Sequence, residues 1–517
     1  MPPYVRKVKT ASGATAVQIV EKRRGLRRIL AHVGSAHTEA DLAVLVASAR
    51  ERIADGQQQL DLGLSTDPAK RVPTVADADA VVAGSVCEVL WAVLVDAYTG
   101  LGFDAVGDEV FRALVLARII EPTSKLAAVG VLTEIGVPAP HRNTFAAALR
   151  RCIARDYRAT LATACTRYWA RRGAAAFVLY DVTTLYFETE NEDELRKVGM
   201  SKERRVDPQI QVGLLVDPGG FPLEVHCFEG NKAETKTLLP TLRSFQDRHG
   251  LVDMVVVADA GMLSAANLNA IEDAGFSFIV GSRISKAPYD LAAHFERHGN
   301  YIPPAGEGGK DGHILESKRV MGTGRAARER RVVYQWSHKR QKRDDRAINA
   351  MVDRAEKVAD GSRPLKKDRF VKIDGAERGV DWNLVERARQ LAGLKGYVTN
   401  LPATTLTGPA VIAAYHDLWQ VESSFRMAKT DLRARPIFHR QHDSIQAHLT
   451  VVFAALAVSR HLQNQTGLSI KKLVRTLRPL RTVQIDIGGQ RLTAKPTISP
   501  DARAILDALP PINAPGH

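Results

Sequence analysis

Three acidic residues stand where they could hold divalent metal ions. Asp181 follows the apolar run AAAFVLY, Asp259 follows MVVVA, and Glu422 lies in a long helical pattern. Carboxylate oxygens are ligands that Mg²⁺ prefers, and two such ions can activate a nucleophile and stabilise a leaving oxygen at phosphorus. Each residue alone also has an ordinary interpretation. An Asp after a strand is often a turn residue, and Glu422 with Arg426 is a common surface pair.

The order of elements between residues 174 and 280 predicts that two of the acids are neighbours. The pattern predicts three antiparallel strands at 174–180, 209–216 and 221–228. It then predicts a helix at 234–248, a strand at 254–258, a helix at 264–274 and a strand at 276–280. This is the order of a ribonuclease H-like fold, an α/β fold with a mixed five-stranded sheet flanked by helices. Its fourth strand runs beside and parallel to the first, about 4.8 Å away. Asp181 and Asp259 would then face each other at the carboxyl ends of these strands, and their repulsion favours a bound cation.

The third acid is expected on a helix over residues 409–430. Tyr415, Glu422 and Lys429 are spaced by seven residues, which is nearly two helical turns, so one continuous helix would place them on one face. Arg426 lies one turn beyond Glu422. Such a face could hold metal at its centre and phosphate on either side.

The rest of the chain predicts a modular organisation. Residues 4–33 have the pattern of short strands and 37–53 of a helix, followed by a polar linker over 56–76. Residues 77–172 read as helical throughout, and 111–135 resemble a helix-turn-helix or an ordinary helical hairpin. The predicted units are an N-terminal hairpin and helix (1–60), a helical DNA-end-binding domain (61–172), a first catalytic part (173–284), a strand-containing insertion (285–395), a second catalytic part (396–470) and a partly loose tail (471–517).

Composition favours a polyanionic partner only modestly. The 517 residues include 72 Lys and Arg against 57 Asp and Glu, a net charge of +15, and phosphates attract such a surface. The four cysteines have neither zinc-finger nor CxxC spacing, which is typical of buried thiols in a reducing compartment. We find no secretory signal and no apolar run long enough to span a membrane, so a cytoplasmic protein is expected.

Several segments together resemble the DDE-type transposases of bacterial insertion sequences. They are DVTTLYFET at 181–189, GMSKERRVDPQIQVGLLVD at 199–217, FEGNKAETKTL at 228–238, ADAGM at 258–262 and RPIFHRQHDSIQAHL at 435–449. The resembling family carries its third acid in a Tyr-Arg-Glu-Lys signature, and Tyr415, Glu422 and Lys429 match its offsets. Leu418 stands at the Arg position, and Arg426 is a candidate for the missing cation.

The resemblance implies a recombinase that nicks element ends and joins the 3′-hydroxyl to target DNA. Asp181, Asp259 and Glu422 would be the catalytic metal ligands, with two Mg²⁺ ions per site and Mn²⁺ as an alternative. Partners would be double-stranded DNA, as terminal inverted repeats and target, and a second copy of the chain. The expected DNA-binding residues are Tyr415, Arg426, Lys429, Arg433 and Arg435, with Lys339, Arg340, Lys342 and Arg343 from a basic stretch in the insertion. A ribonuclease H-fold nuclease without strand transfer and an inactive DNA-binding derivative remain alternatives.

Overall fold

The computed structural model describes residues 3–9, 14–23, 26–36, 38–54, 80–173, 177–200, 206–250, 254–262, 264–282, 314–364, 368–374, 377–487 and 490–511. The chain divides into two compact units, Met1–Asp79 and Ala80–His517. The linker predicted at 56–76 lies outside the described residues, as does most of the Gly- and Pro-rich start of the predicted insertion.

The first unit is a small sheet with one helix. Strands β1 (Tyr4–Lys9), β2 (Thr15–Arg23) and β3 (Leu26–Ala36) are antiparallel in that order, and helix α1 (Glu39–Ala54) packs on them. Alternating residues Val17 and Ile19 face Ala49 of the helix and form the core. The predicted hairpin and helix are confirmed.

The second unit begins with a strand, where the sequence predicts helix from residue 77 onward. β4 (Ala80–Val86) pairs with β15 (Thr482–Ile487), which also pairs with β16 (Gln490–Ala494). The partner strand comes from the other end of this unit, so no local pattern indicates the pairing. The helices that follow are α2 (Glu88–Gly100), α3 (Glu109–Ile120), α4 (Lys125–Glu134), α5 (Arg142–Ala154) and α6 (Tyr157–Arg171).

The predicted turn between α3 and α4 is confirmed. α3 ends before Glu121-Pro122, and the Ser124 hydroxyl accepts the backbone N–H of Ala127 at 3.2 Å to cap α4. Pro cannot continue a helix and Ser caps the next one, so the local sequence specifies this corner.

An eight-stranded mixed sheet is the centre of the second unit. Its strand order is β10-β11-β14-β9-β8-β5-β6-β7. The strands are β5 (Phe177–Tyr186), β6 (Gln209–Val216), β7 (Pro222–Glu229), β8 (Val255–Ala258), β9 (Ser277–Ser282), β10 (Ile314–Met321), β11 (Arg328–Trp336) and β14 (Leu394–Thr399). β5, β6 and β7 are antiparallel neighbours, and β8 and β9 run parallel to β5, in agreement with the predicted order.

The sheet is larger than the five strands expected. β14 pairs antiparallel with β9, and β11 and β10 continue beyond it. The segment predicted as an insertion therefore contributes two strands, β10 and β11, to the central sheet, and they cover an edge that β14 would otherwise expose. The same segment holds a short hairpin, β12 (Val371–Asp374) and β13 (Glu377–Val380), that packs with helices α9 (His338–Ala359) and α10 (Trp382–Gln390).

Helices cover both faces of the sheet. α7 (Leu238–His249) follows Thr237, whose hydroxyl accepts that of Tyr180 on β5, while α8 (Ala265–Asp273) connects β8 to β9. The opposite face carries α11 (Gly408–His416), α12 (Trp419–Arg426), a π-helix (Met427–Asp431) and α13 (His442–Thr466). α14 (Ile470–Leu477) and α15 (Pro500–Asp507) are regular helices in the tail that was expected to be partly loose.

α13 is the central core helix. By length and composition it could cross a membrane, although the sequence analysis found no such run. Its residues are buried almost all round inside the protein, which explains an apolar surface on every side.

Candidate active site

The register of β5 and β8 brings Asp181 and Asp259 to adjoining positions. Tyr180 is the partner of Ala258 in this parallel pair, and each acid is the next residue along the chain. Asp181 does not end its strand as predicted, because β5 continues to Tyr186 while paired with β6. β8 ends at Ala258, and Asp259 is exposed where the sheet opens. The two acids thus follow directly on paired positions, where β8 stops beside a strand that continues.

The side-chain alternation of β5 shows which face Asp181 belongs to. Asp181, Thr183 and Leu185 lie on one face because alternate residues of a strand point the same way. Thr183 and Leu185 line a small cavity together with Phe425 of α12 and Ala428 of the π-helix. Asp181 therefore faces the side of the sheet that carries the third acid.

The helix predicted over 409–430 is not continuous. It divides into α11, α12 and the π-helix, with a turn at Asp417 and Leu418 where the Leu418 N–H donates to the Tyr415 carbonyl at 3.1 Å. The prediction that Tyr415, Glu422 and Lys429 share one helical face is therefore wrong. Tyr415 is buried, Glu422 is exposed and Lys429 is half-buried in the π-helix.

The break has a physical reason at Leu418. Its side chain is only 8% exposed and belongs to the main hydrophobic core. This is the position where the family signature has Arg, and in this chain it points inward. Arg426, the proposed replacement cation, is exposed on α12. π-turns are rare and often occur at functional sites, which agrees with one directly after the third-acid helix.

Two anchors fix the direction of α12 along the sheet. The Ser424 hydroxyl donates to the carbonyl of Gly220, in the β6–β7 turn, at 2.7 Å. Further along the chain, the Ile437 N–H donates to the Tyr186 carbonyl at the end of β5 at 3.1 Å. The chain therefore travels along β5 in the strand's own direction.

These anchors also define the side of α12 that carries Glu422. On a helix, Glu422 lies about 200° from Ser424. Since Ser424 is held at the β6–β7 turn, Glu422 is directed away from that turn; its charge, like that of Asp259, acts on Lys395 of β14.

Tyr415 orients Asp259. Its hydroxyl donates to Asp259 Oδ1 at 2.9 Å, and the N–H of Ala260 donates to the same oxygen at 2.7 Å. Burial, and then the neighbouring Asp259 charge, raise the pKa of Tyr415, so the phenol stays protonated and remains a donor. The hydroxyl predicted to contact DNA phosphate is thus engaged with the second acid.

Lys395 on β14 is a site residue that the sequence analysis missed. Its ammonium lies 4.2 Å from the ring centroid of Tyr415. Burial is the main cause that lowers the pKa of Lys395, and the Arg340 charge adds to it, while Asp259 and Glu422 act in the opposite direction. This ammonium is therefore in the field of two of the three acids. The available signal was a single charged residue within the apolar strand LKGYVT.

The predicted basic residues of α9 divide into two groups. Arg340 is half-buried and lies close enough to influence Lys395 and Tyr415. Lys339, Lys342 and Arg343 are exposed. The Asp344 carboxylate pairs with Arg340 at 3.4 Å and accepts the N–H of Gly393 at 3.2 Å, which holds the basic start of α9 beside the start of β14.

The basic residues after Glu422 continue away from the acids. Lys429 lines the cavity next to Thr183. The Arg435 guanidinium lies 5.5 Å from the Tyr186 ring centroid. Arg433 is exposed and adopts a positive φ of 45°, and its carbonyl accepts an N–H of Arg118 at 3.3 Å. Nearby His439 packs against His448, and burial lowers the pKa of His439 to about 4, so it is a neutral packing residue.

The donor set suits a hard divalent cation, because it consists of carboxylates with Asp181 and Asp259 at adjoining positions. Among the residues that the structure describes, no three His, Cys, Asp or Glu side chains are grouped closely enough to hold a metal ion. Glu422 is linked to Asp259 through Lys395, whose pKa both carboxylates influence, and the three acids do not form a three-ligand group among the described residues.

Comparison with known proteins gives one family. The family described as Transposase DDE domain matches residues 173–458, which is more than half of the chain and includes all three acids. No curated protein sequence matches. Among solved structures, the cryo-EM structure of a piggyBac transposase synaptic complex with hairpin DNA is similar at 10% identity and a TM-score of 0.35, over 71% of this chain and 69% of that one.

Proposed function

The chain belongs to the DDE transposase family, and from this membership we propose that it cuts DNA at insertion-sequence ends and joins the freed 3′-hydroxyl to target DNA. We further propose that it is of the bacterial type with a Tyr-Arg-Glu-Lys-like third-acid signature, carried here by Tyr415, Glu422 and Lys429. The strands β9-β8-β5-β6-β7 form its ribonuclease H-like core in this proposal.

One observation carries the assignment of the site. Asp181 and Asp259 follow paired positions of two parallel strands, and α12, the helix that includes Glu422, packs on the same face of the sheet through Phe425. Paired carboxylates without a fixed cation repel one another. Sites of this kind in DDE transposases are served by divalent metal ions.

The three carboxylates would hold two Mg²⁺ ions, with Mn²⁺ as an alternative. Bound there, the ions would activate a water or a 3′-hydroxyl and stabilise the leaving oxygen. The chain's own contribution is positioning. Tyr415 and the Ala260 N–H fix one oxygen of Asp259, and Lys395 balances the charge of Asp259 and Glu422 from the β14 side.

DNA binding is assigned to the basic residues that follow Glu422 in the chain and to those at the start of α9. Exposed guanidinium and ammonium groups neutralise phosphates without reading sequence. In the proposal Arg426, Lys429, Arg433 and Arg435 bind the DNA that leads away from the acids on one side, and the basic start of α9 binds it on the other. Residues 61–172 bind the element ends, and two copies of the chain pair the two ends.

A strand-transfer assay tests the function directly. A labelled duplex that carries the terminal sequence of the element, mixed with an unlabelled target plasmid and Mg²⁺, is expected to give both nicked ends and labelled plasmid. Nicked ends without labelled plasmid would identify a nuclease that does not join. Binding without either product would identify an inactive derivative.

A gel shift tests the end-binding assignment. The full chain is expected to retard a duplex carrying the element's terminal repeats more strongly than a duplex of equal length and unrelated sequence. Equal retardation of both duplexes would contradict specific end binding.

A further inference from the structure

A basic groove is lined in part by residues further along the chain than Glu422, among them Arg433, one of the basic residues assigned to DNA binding above. It has a volume of about 730 Å³ and is bounded by the α3–α4 turn, the end of the π-helix with Arg433, and α14 with the residues that follow it. The residues are Arg433, Lys471, Arg475, Arg478 and Arg481 on the cationic side, and Glu121, Glu134 and Asp431 on the acidic side. The groove lining therefore carries a net charge of +2.

Ion pairs between its walls build the groove. Arg478 contacts Glu134 at 2.6 Å and Glu121 at 3.0 Å, and so joins the end of α14 to the α3–α4 corner. Lys471 contacts Asp431 of the π-helix at 2.9 Å. All three acids are thus engaged with cations of α14 or of the residue that follows it, and the walls are fixed before any ligand arrives.

Two arginines of the groove lining take no part in these ion pairs. Arg433 and Arg475 are exposed, and in the described part of the chain no acidic side chain lies within ion-pair distance of either. α14 buries Ile470, Leu473 and Leu477, so Arg475 lies on its opposite, outward face. On the other wall, Arg118 donates to the carbonyls of Leu432 and Arg433 at 2.9 and 3.3 Å and holds that backbone in place. A preformed groove that keeps two uncommitted guanidinium groups is suited to phosphate, which they can bind bidentately.

We propose that this groove binds the backbone phosphates of duplex DNA on the flank of the cleavage site. The inference rests on the proposed function, since Glu422 marks where the cut occurs. Thr430, on the groove wall, is eight residues after Glu422 along α12 and the π-helix, which corresponds to no more than about 12 Å because a π-helix rises less per residue than an α-helix. Duplex DNA rises about 3.4 Å per base pair, so the groove meets phosphates roughly three to four base pairs from the cut.

A charge-deletion cycle tests this assignment. A single neutral methylphosphonate is moved along a duplex that carries the element's end, and binding is measured without divalent ions. We expect the wild type to lose affinity by roughly eightfold per contact at 0.1 M salt when the substitution falls three to four base pairs from the cut. Arg433→Gln/Arg475→Gln is expected to bind the unmodified duplex more weakly and to show no further loss at those positions, because the paired charges act as one unit.

Three controls make the outcome decisive. Arg503→Gln removes an exposed arginine from α15 and should retain the wild-type sensitivity. Arg475→Lys keeps the charge and should retain most of the sensitivity to the methylphosphonate. It therefore distinguishes loss of the charge from an effect on folding. The same methylphosphonate series on a duplex of unrelated sequence shows whether the groove binds element ends or any DNA. If it binds only element ends, the loss of affinity occurs only with the end duplex.

Full wild-type sensitivity at every position in Arg433→Gln/Arg475→Gln would overturn the inference, even if wild-type protein cuts DNA. A wild-type protein that makes no cut at all would instead refute the proposed function.

Discussion

The hydrogen bond from Tyr415 to Asp259 allows a single-atom perturbation of the site. Tyr415→Phe removes the hydroxyl that donates to Asp259 Oδ1 at 2.9 Å and keeps the ring. The ring's contacts with Tyr397, at a centroid distance of 4.8 Å, and with the Lys395 ammonium are preserved. Asp259 then retains the Ala260 N–H as its donor but loses the side-chain contact that fixes its orientation.

The size of the effect follows from the type of bond. A hydrogen bond to a charged group contributes about 1.5–3 kcal/mol. If that energy positions Asp259 during reaction, its loss lowers the cleavage rate by roughly 10- to 150-fold, since about 1.4 kcal/mol is tenfold in rate. Affinity for DNA should change much less, because the lost hydroxyl is directed at Asp259.

Single-turnover cleavage of a labelled end duplex measures the rate apart from binding. Tyr397→Phe is the matched control: Tyr397 is also buried, but its hydroxyl donates to Gln335 at 3.3 Å instead of to one of the three acids. We expect Tyr397→Phe to cleave within about threefold of wild type. Cleavage by Tyr415→Phe at the wild-type rate would refute the positioning role.

Three further predictions address the surroundings of the site. Leu418→Arg restores the cation of the signature but buries a guanidinium in the core. It should lower the free energy of unfolding by about 3 kcal/mol or more, which a lower Tm would show. An unchanged Tm would contradict the burial of that position. Because the pKa of Lys395 is lowered, the wild-type cleavage rate should begin to fall with rising pH before pH reaches about 10.4, the ordinary lysine pKa. Lys395→Arg, whose side chain stays charged, should remain active in that range. Identical pH profiles of the two proteins would show that Lys395 does not act in the site. Burial lowers the pKa of His461 to about 4, so its stabilising contribution is complete above pH of about 6.5 and is lost, by roughly 3 kcal/mol, as pH falls toward 4. The Tm of His461→Asn should therefore fall less than the Tm of wild type between pH 7 and pH of about 4.5. An equal fall in both proteins would contradict this prediction.

The part of the sheet that could be predicted depends on local signals. The apolar runs of β5, β6 and β7 and the Asp217-to-Gly220 turn define an antiparallel start, and two short helices lead to β8 and β9. These elements are close in sequence, so hydrophobic pattern and turn chemistry were sufficient to place Asp181 beside Asp259.

The rest of the sheet depends on distant partners. β10 and β11 join the central sheet through β14, which follows after a helical segment, and β4 pairs with a strand near the C-terminus. Strand formation at such edges is decided by which neighbour is available, and no local periodicity reports this.

The third acid shows a limit of periodicity. A seven-residue spacing predicts a shared face only if one regular helix continues, and the chain turns at Leu418 and widens into a π-helix after Arg426. At this turn the Leu418 side chain is buried, and the Tyr415 hydroxyl donates a hydrogen bond to Asp259. Lys395 was not predicted because its role arises only when β14 is placed beside β9 in the folded sheet.

The central claim is that Asp181, Asp259 and Glu422 serve one active site. Its most direct test is single-turnover cleavage by Asp181→Asn, Asp259→Asn and Glu422→Gln, with Glu188→Gln as an exposed acid just beyond β5. We expect each of the three to lose at least about 100-fold in rate while still binding the end duplex, and Glu188→Gln to retain the wild-type rate. Cleavage within about tenfold of wild type by any one of the three would contradict the claim for that residue.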